Sequence, residues 1–471
     1  MQIASIFNRE IVELIIILVF VAGYVCIAFE HPLKVNKTAS ALLTGVLCWT
    51  LFIIAEPLQA VMEGKEFVGF VKGLKTALGP ELFSGQSAAL IYRDFIGSAL
   101  SSHLADIAQI LFFLMAAMTI VELVDAYDGF RIITDRITTR NPKKLLWIVS
   151  WLSFFLSAIL DNLTTSIVMV SLIRKLVPDK NMRMFFAGII IIAANAGGAW
   201  SPTGDVTTTM LWIGGQVSTL SIVRALFVPS VICLLVPLIV VSFTLRGSLG
   251  ERSIIERKEA HSYQFLMLAL GIGSLLFVPV FKTVTHLPPY MGVLLGLGIF
   301  WVASEIIGGQ HLEAAQRKKY SAASALSRID MSSILFFLGI LLAIGALEAM
   351  TTLHHFSEHL EANIGDKSII ITLIGLLSAV VDNVPLVAAC MGMYDLNLYP
   401  INDFIWEYLA YCAGTGGSVL IIGSAAGVAV MGMEKIDFLW YFKRISFIAL
   451  LGYFAGCGAY LLIGHYFLGI I

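Results

Sequence analysis

Charge is what this chain has least of. Asp, Glu, Lys and Arg make up 13% of its 471 residues, against about 25% in soluble domains. With 58% hydrophobic residues and a mean hydropathy of +0.88, that scarcity excludes an ordinary soluble globular protein. Cysteine is sparse as well. Its six copies (Cys26, Cys48, Cys233, Cys390, Cys412, Cys457) stand singly in apolar segments. Their spacing fits neither a disulfide framework nor a metal site, so they read as small core residues. The net charge is only −2, which makes no case for nucleic acid as a partner. The first apolar run, 11–29, has no basic leader beyond Arg9 and no clear small-x-small cleavage site. It is expected to be a retained helix rather than a signal peptide.

What the chain does have is apolar runs, many of them roughly 20 residues long, the length that spans a bilayer as a helix. A β-barrel is excluded, because its strands would alternate apolar and polar residues over about 10 positions. The expected fold class is an all-α polytopic membrane protein with the lipid bilayer as its solvent.

Inside those runs the chain repeats itself. Residues 157–164 read SAILDNLT and residues 378–385 read SAVVDNVP, which places Asp161 and Asp382 221 residues apart. ILFFL occurs at 110–114 and again at 334–338, and an acid follows each copy, Glu122 and Glu348. Glycine-rich interruptions come next, AGGAWSPTGD at 196–205 and TGGSVLIIGS at 415–424. Aligning Gly197-Gly198 with Gly416-Gly417 also aligns Gly204 with Gly423. Three markers at nearly one offset point to an internal duplication.

Each half is expected to hold two leading helices, a third helix, a hairpin carrying Asp-Asn, a broken helix and a last helix. In the first half these fall at 11–29, 39–57, 104–124, 145–176, 184–217 and 223–245. In the second they fall at 263–281, 288–303, 330–350, 368–395, 404–433 and 439–467. The division is a first repeat, 1–245, a cytoplasmic linker, 246–262, and a second repeat, 263–471. If each hairpin is re-entrant, every half crosses five times and the second repeat is inverted. Both termini then lie outside, and most of the 30 Lys and Arg residues lie inside, as the positive-inside rule requires. Segment 58–103 carries Lys65, Lys72, Lys75 and Arg93 on the outer side and is expected to be an amphipathic surface helix. Segment 304–329, with QRKKY at 316–320, is expected to be a cytoplasmic interfacial helix.

The chemistry sits at the hairpins and the breaks. A carboxylate in hydrocarbon costs at least roughly 2.5 kcal/mol and usually has a function. Asp161-Asn162 precedes Leu163-Thr164-Thr165, and Asp382-Asn383 precedes Val384-Pro385; both suit a tip followed by a new helix. A tip exposes backbone groups that lipid cannot satisfy, so it must be buried or line a wet cavity. Bare carbonyls, amide oxygens, hydroxyls and carboxylates are the ligands a small hard cation prefers. Gly197, Gly198, Pro202 and Gly204 cannot share one continuous helix, and Asp205, Thr207, Thr208 and Thr209 follow. The second interruption offers Thr415, Gly416, Gly417, Ser418, Gly423 and Ser424. Ser424 takes the place of Asp205, so the first half is expected to hold the stronger cation site. Each of these groups has a plainer reading. The glycines also serve close helix packing, Asp205 also caps a half-helix, and Asp161 and Asp382 also fit buried structural hydrogen bonds. Glu122 and Glu348 are candidate entrance acids or solvated helix ends. His354, His355 and His359, with Glu358, read as a solvated face before a metal or pH site.

The strings SAILDNLTTSIVM, ANAGGAWSPTGDVTTTMLW, SAVVDNVPLVAA and GTGGSVLIIGSAAGVAVMG resemble NhaD-type sodium/proton antiporters of the ion transporter superfamily. That group also includes arsenite pumps and divalent anion/sodium symporters. The resemblance covers almost the whole chain and implies exchange of Na+ or Li+ for H+ by a homodimer, with no cofactor. It points to Asp161, Asn162, Asn195, Asp205, Thr207 and Thr208 in the first half, and to Ser378, Asp382, Asn383, Ser418 and Ser424 in the second. The expected location is a bacterial cytoplasmic (inner) membrane.

Desolvation favours a neutral acid and a bound cation favours an ionised one. Protons and Na+ or Li+ therefore compete for buried aspartates, and competition with alternating exposure suffices for antiport. Asp161, Asn162 and the Asp205–Thr208 break are expected to hold the cation, with Thr164 beside them and Asp382 and Asn383 completing or gating the path. Rocking and elevator movements both fit. A sodium-coupled dicarboxylate or sulfate carrier would place neutral groups rather than carboxylates at both tips. An arsenite exporter would meet no such objection, since its cargo is neutral. A polytopic membrane enzyme with paired aspartates is the remote alternative.

Overall fold

The computed structural model describes residues 9–54, 61–62, 65–84, 87–134, 136–137, 139, 141–245, 263–311 and 320–464. Among these the regular secondary structure is helical, and ten helices are long and apolar enough to cross a membrane. The chain begins with α1 (Arg9–Ala28), α2 (Lys37–Ile54), α3 (Lys65–Ser84) and α4 (Ala88–Ala126). Next come α5 (Pro142–Leu160), α6 (Asn162–Leu176), α7 (Lys180–Ala199), α8 (Val206–Ile213) and α9 (Thr219–Thr244). After α10 (Gln264–Thr285) and α11 (Pro289–His311) follow α12 (Met331–Ala349), α13 (Thr352–Ile364), α14 (Lys367–Leu377) and α15 (Asn383–Met393). The last are α16 (Phe404–Gly416), α17 (Ala425–Glu434) and α18 (Phe447–Ile463), which follows a π-helical turn over Phe442–Ser446.

Starts are set by short polar side chains, which satisfy the free N–H groups of a first turn. Asn141 Oδ1 accepts from the Lys143 and Lys144 amides ahead of α5, with Pro142 in the first turn. Asp179, Asp366 and Asp403 do the same for α7, α14 and α16. One expectation needs correction. The segment 58–103 is not separate from the helix expected at 104–124. α4 runs unbroken for 39 residues, about 58 Å at 1.5 Å per residue. The cause is local: from Ala88 onward there is no proline, and Gly97 alone does not stop a helix. The linker 246–262 and the basic stretch 316–319 lie outside the described residues. Of the expected interfacial helix, the end of α11 and a turn over Ala322–Leu326 are described.

The chain forms two compact units, each drawing on both halves of the sequence. The first comprises Met1–Leu111, Asp330–Gly365 and Ala388–Leu398. Here α2 and α12 lie close together because each offers a glycine. A Cβ on Gly339 would stand 2.5 Å from the Ala41 carbonyl carbon, and one on Gly45 2.5 Å from Gly339 O. Trp49 Nε1 donates to Leu342 O at 2.8 Å along the same seam. Glu348 belongs to this unit, against Gly392.

The second unit comprises Phe112–Ile329, Asp366–Val387 and Tyr399–Ile471 and contains both glycine-rich breaks. Glu122 pairs there with Arg328 at 3.3 Å. Buried Glu434, at the end of α17, accepts from Arg174 Nε at 2.6 Å and Arg183 Nε at 2.7 Å, tying α6 and the start of α7 to α17. Removing one partner of a buried pair costs about 3–5 kcal/mol. Arg174 is 46% exposed, so Glu434→Gln is expected to cost less, about 2 kcal/mol. Tryptophan-fluorescence melting of the solubilised protein would measure it; an unchanged midpoint would mean the triad adds no net stability.

Candidate ion site

α5 ends and α6 begins on one residue, Asp161. Its backbone takes φ 112° and ψ 162°, a region that side chains avoid at a cost of about 1–3 kcal/mol. Glycine would sit there without strain, so the carboxylate must contribute something. Part of that is capping: Oδ1 accepts from the Thr164 amide at 2.7 Å and Oδ2 from the Thr164 hydroxyl at 2.9 Å. The second hairpin turns over Ser378–Asp382, and Asp382 Oδ1 accepts from the Val384 amide at 3.3 Å as α15 begins.

The breaks separate α7 from α8 and α16 from α17, and the chain passes through both in the same way. A Cβ on Gly197 would lie 2.1 Å from Phe154 O of α5, and one on Gly416 would lie 1.9 Å from Gly375 O of α14. Gly198 lies against Gly204 O, and Gly417 against Gly423 O. Gly204 faces Ser157 O, and Gly423 faces Ser378 O. Each broken helix thus presses its backbone on the first arm of the hairpin in its own half. Pro202 lies within the first break, where its carbonyl accepts from the Thr209 hydroxyl at 3.0 Å. The half-helices after the breaks start on Asp205 and Ser424, both with extended backbone. Ser424 caps α17 through the Gly427 amide, whereas Asp205 makes no capping bond to α8.

That difference frees the Asp205 carboxylate for the centre of the unit. Asp205 is 2% exposed. Its Oδ2 accepts from Asn383 Nδ2 at 3.1 Å and lies 3.4 Å from where a Cβ on Gly414 would stand. Asp382 is close enough for its charge to act on Asp205. Beside them the Thr207 hydroxyl is buried next to the Asp205 carboxylate, without a hydrogen bond of ordinary geometry to any other group. Thr208 instead turns its hydroxyl to Asp205 O at 2.9 Å.

A second cluster forms around Asn195, which is wholly buried. Its Oδ1 accepts from Asn162 Nδ2 at 3.0 Å, and its Nδ2 donates to Ser418 Oγ at 2.8 Å and Ser424 Oγ at 3.1 Å. Ser378 points elsewhere, donating to Gly375 O at 2.6 Å. The pairing is therefore crossed. The asparagine of the second hairpin reaches the first break, and that of the first hairpin reaches the second break through Asn195. Asp205 stands with Asn383 and Asp382, while the hydrogen bonds of Asp161 run to Thr164.

Of the two candidate entrance acids, Glu122 pairs with Arg328 and Glu348 lies against Gly392 in the first unit. His354 and His355 are exposed on α13 and face Glu358 at 3.6 and 3.3 Å. The six cysteines are free; Cys412 and Cys457 face each other 3.9 Å apart between α16 and α18. A carboxylate that sequence reasoning passed over is Glu407, 3% exposed in the first turn of α16. The signal was one acid inside the apolar run FIWEYLAYCA.

The chemistry of the cluster is plain: acids, amides and hydroxyls converge, and such a set takes a small cation or a proton. Residues 24–406 match the family described as "Citrate transporter". The chain is 48% identical to sodium/proton antiporter 1 of Arabidopsis thaliana, over 94% of this chain and 71% of that protein. It is 42% identical to sodium/proton antiporter 2 of the same plant, over 95% and 99%. To the Na(+)/H(+) antiporter NhaD of Vibrio cholerae it is 30% identical, over 98% and 93%. The chain belongs to this citrate-transporter family and, within it, to the NhaD-type sodium/proton antiporters.

Proposed function

We propose that this integral, multi-pass membrane protein exchanges Na+ or Li+ for H+, and that cation and proton compete at the cluster of Asp205, Asp382, Asn383 and the Thr207 hydroxyl. The observation that carries the proposal is a buried carboxylate, Asp205, that accepts from the Asn383 amide and lies beside a second acid and a buried hydroxyl, with no ion pair to Asp205 among the described residues. A buried charge without a partner costs several kcal/mol. A bound proton or a bound cation removes that cost, and holding both at once does not, so the two exclude each other.

The proposal keeps the inverted-repeat topology with re-entrant hairpins. Matched contacts at Gly197 and Gly416, and at Gly204 and Gly423, support a common ancestry of the halves. It also keeps the homodimer, on family resemblance, and a membrane that sustains a proton gradient, in a bacterium the inner membrane. The family description favours a second reading, citrate transport. Carboxylates would repel a tricarboxylate, which counts against it.

Sealed vesicles holding the purified protein under an imposed proton gradient decide between them. The expected result is that NaCl or LiCl collapses the gradient, while citrate, succinate and arsenite do not. Dependence of labelled-citrate uptake on the protein, with no response to Na+ or Li+, would establish the second reading. Asp161→Asn belongs in the same assay. Asparagine caps a helix about as well as aspartate, so the fold is expected to persist while exchange is lost. Wild-type rates in that variant would remove Asp161 from the mechanism.

A further inference from the structure

Glu407 is a buried acid that the ion cluster does not use. Three helices enclose it. One oxygen accepts from the Ser221 hydroxyl of α9, the other from the Tyr460 hydroxyl of α18 at 3.2 Å, and α16 carries the group itself. Tyr460 is held in place by stacking on Tyr408, with ring centroids 5.0 Å apart. The other charged groups near it do not neutralise it. Asp403 on its own element has the same sign, and Arg224 of α9 is exposed. Lys367 of α14 donates to Tyr399 Oη at 2.5 Å. α8 carries no titratable residue, and the charged residues of α7 lie at its far end. Among the described residues no cationic side chain pairs with Glu407. Its partners are hydroxyls that can donate to a carboxylate or accept from a carboxylic acid, so the site suits either protonation state without rearranging.

Its position relative to Asp205 follows from the helix. Glu407 and Gly414 are two turns apart on one face of α16, about 10 Å at 1.5 Å per residue, and Gly414 abuts Asp205. The loops at this end are stitched together, since the Ser218 amide donates to Asn402 Oδ1 at 2.6 Å and the Asn402 amide to Gln216 O at 2.8 Å. On the charge-derived topology this end faces outside.

We propose that Glu407, with Ser221 and Tyr460, is a second proton-holding site, on the outer side of Asp205, which takes the proton from external water that replaces the cation. Charge and atoms balance: the Glu407 carboxylate gains one proton from external solvent and becomes neutral, then gives it up toward the Asp205 carboxylate as the cation leaves, so that the Glu407 carboxylate re-forms and the Asp205 carboxyl becomes neutral. The proposal rests on the antiport reading above and is tested separately from it.

In an exchanger, labelled Na+ trading for unlabelled Na+ needs no proton, whereas Na+ trading for H+ does. Glu407→Gln is expected to lower Na+/H+ exchange by roughly 10²-fold, the low end of what a positioned acid–base group contributes, and to leave Na+/Na+ exchange at the wild-type rate. Glu407→Asp, which keeps the acid, is expected to restore much of the proton-coupled rate. If the glutamine variant fails to fold, the Ser221→Ala, Tyr460→Phe double variant keeps the acid and removes both donors. It is expected to slow Na+/H+ exchange selectively. Parallel loss of both exchange modes, or loss of neither, would overturn the site and leave the antiport reading intact. A wild-type protein that exchanges Na+ for Na+ but never for H+ would overturn both.

Discussion

Asp205→Asn is expected to reduce cation-driven proton movement to the level of protein-free vesicles while the protein stays folded in the membrane. The substitution keeps shape and burial but removes a carboxylate that is enclosed at the centre of the unit and makes no capping bond to its own helix. Loss of a charged partner in a buried site is worth about 3–5 kcal/mol, which is roughly two to four orders of magnitude in cation affinity. The variant should therefore also lose a thermodynamic signature of the wild type. A ligand at a hundred times its Kd raises stability by about 2.7 kcal/mol, so Na+ is expected to raise the melting temperature of the wild type and not that of Asp205→Asn. Two readouts separate a transport defect from a binding defect. Loss of exchange with retained Na+ stabilisation would place the cation elsewhere in the cluster, and wild-type exchange would remove Asp205 from it altogether.

The breaks were legible in the sequence because backbone geometry leaves marks that few residues can supply. A helix that must stop, approach another backbone closely and restart needs Gly197, Gly198 and Gly204, or their counterparts Gly416, Gly417 and Gly423. Such residues stand out in a run of Ile, Leu and Ala. The Asp-Asn tips were legible for the same reason, since an acid inside an apolar segment is conspicuous. The crossed pairing was not. Asn383 and Asp205 are separated by 178 residues, and Asn195 and Ser424 by 229. No periodicity records which of several polar groups will meet across that distance. Glu407 escaped because an acid in a first helical turn, four residues after the Asp403 cap, looks like a response to the helix dipole. The length of α4 escaped because Lys65, Lys72, Lys75 and Arg93 marked segment 58–103 as a surface helix of its own, although a charged residue such as Arg93 is compatible with a helix that continues into an apolar run.

The crossed pairing bears on how the two ions exclude each other. If each hairpin amide bonded its own break, the halves could titrate separately. As built, Asn383 holds Asp205 of the opposite break, and Asn195 joins Asn162 to Ser418 and Ser424. A cation that draws on Asp205 therefore disturbs a contact made by the second hairpin, which gives one binding event a grip on both halves. Coupling through a shared hydrogen-bond network is of the size that double-mutant cycles resolve, about 0.5–3 kcal/mol.

Gly416→Ala is expected to be the most damaging single-methyl substitution in the second break. The new Cβ would stand 1.9 Å from Gly375 O and 2.6 Å from Ser378 Oγ. The nearer neighbour is backbone and cannot rotate away, so α16 and α14 must separate. Ordinary overpacking costs about 1–3 kcal/mol, and a clash between two main chains that also carry the second hairpin should exceed that range. Gly432→Ala in α17 is the matched control, because nothing lies within 4 Å of its Cβ position. There alanine gains helix propensity worth up to about 1 kcal/mol. Size-exclusion profiles of the two variants after mild heating would measure the contrast. The expected result is aggregated protein for Gly416→Ala and a wild-type peak or better for Gly432→Ala. If Gly416→Ala instead runs as a monodisperse peak of wild-type stability, the close approach of α14 and α16 does not hold, and the second hairpin must rest on the break by other contacts. If it folds but no longer exchanges ions, the glycine serves the geometry of the site more than its stability.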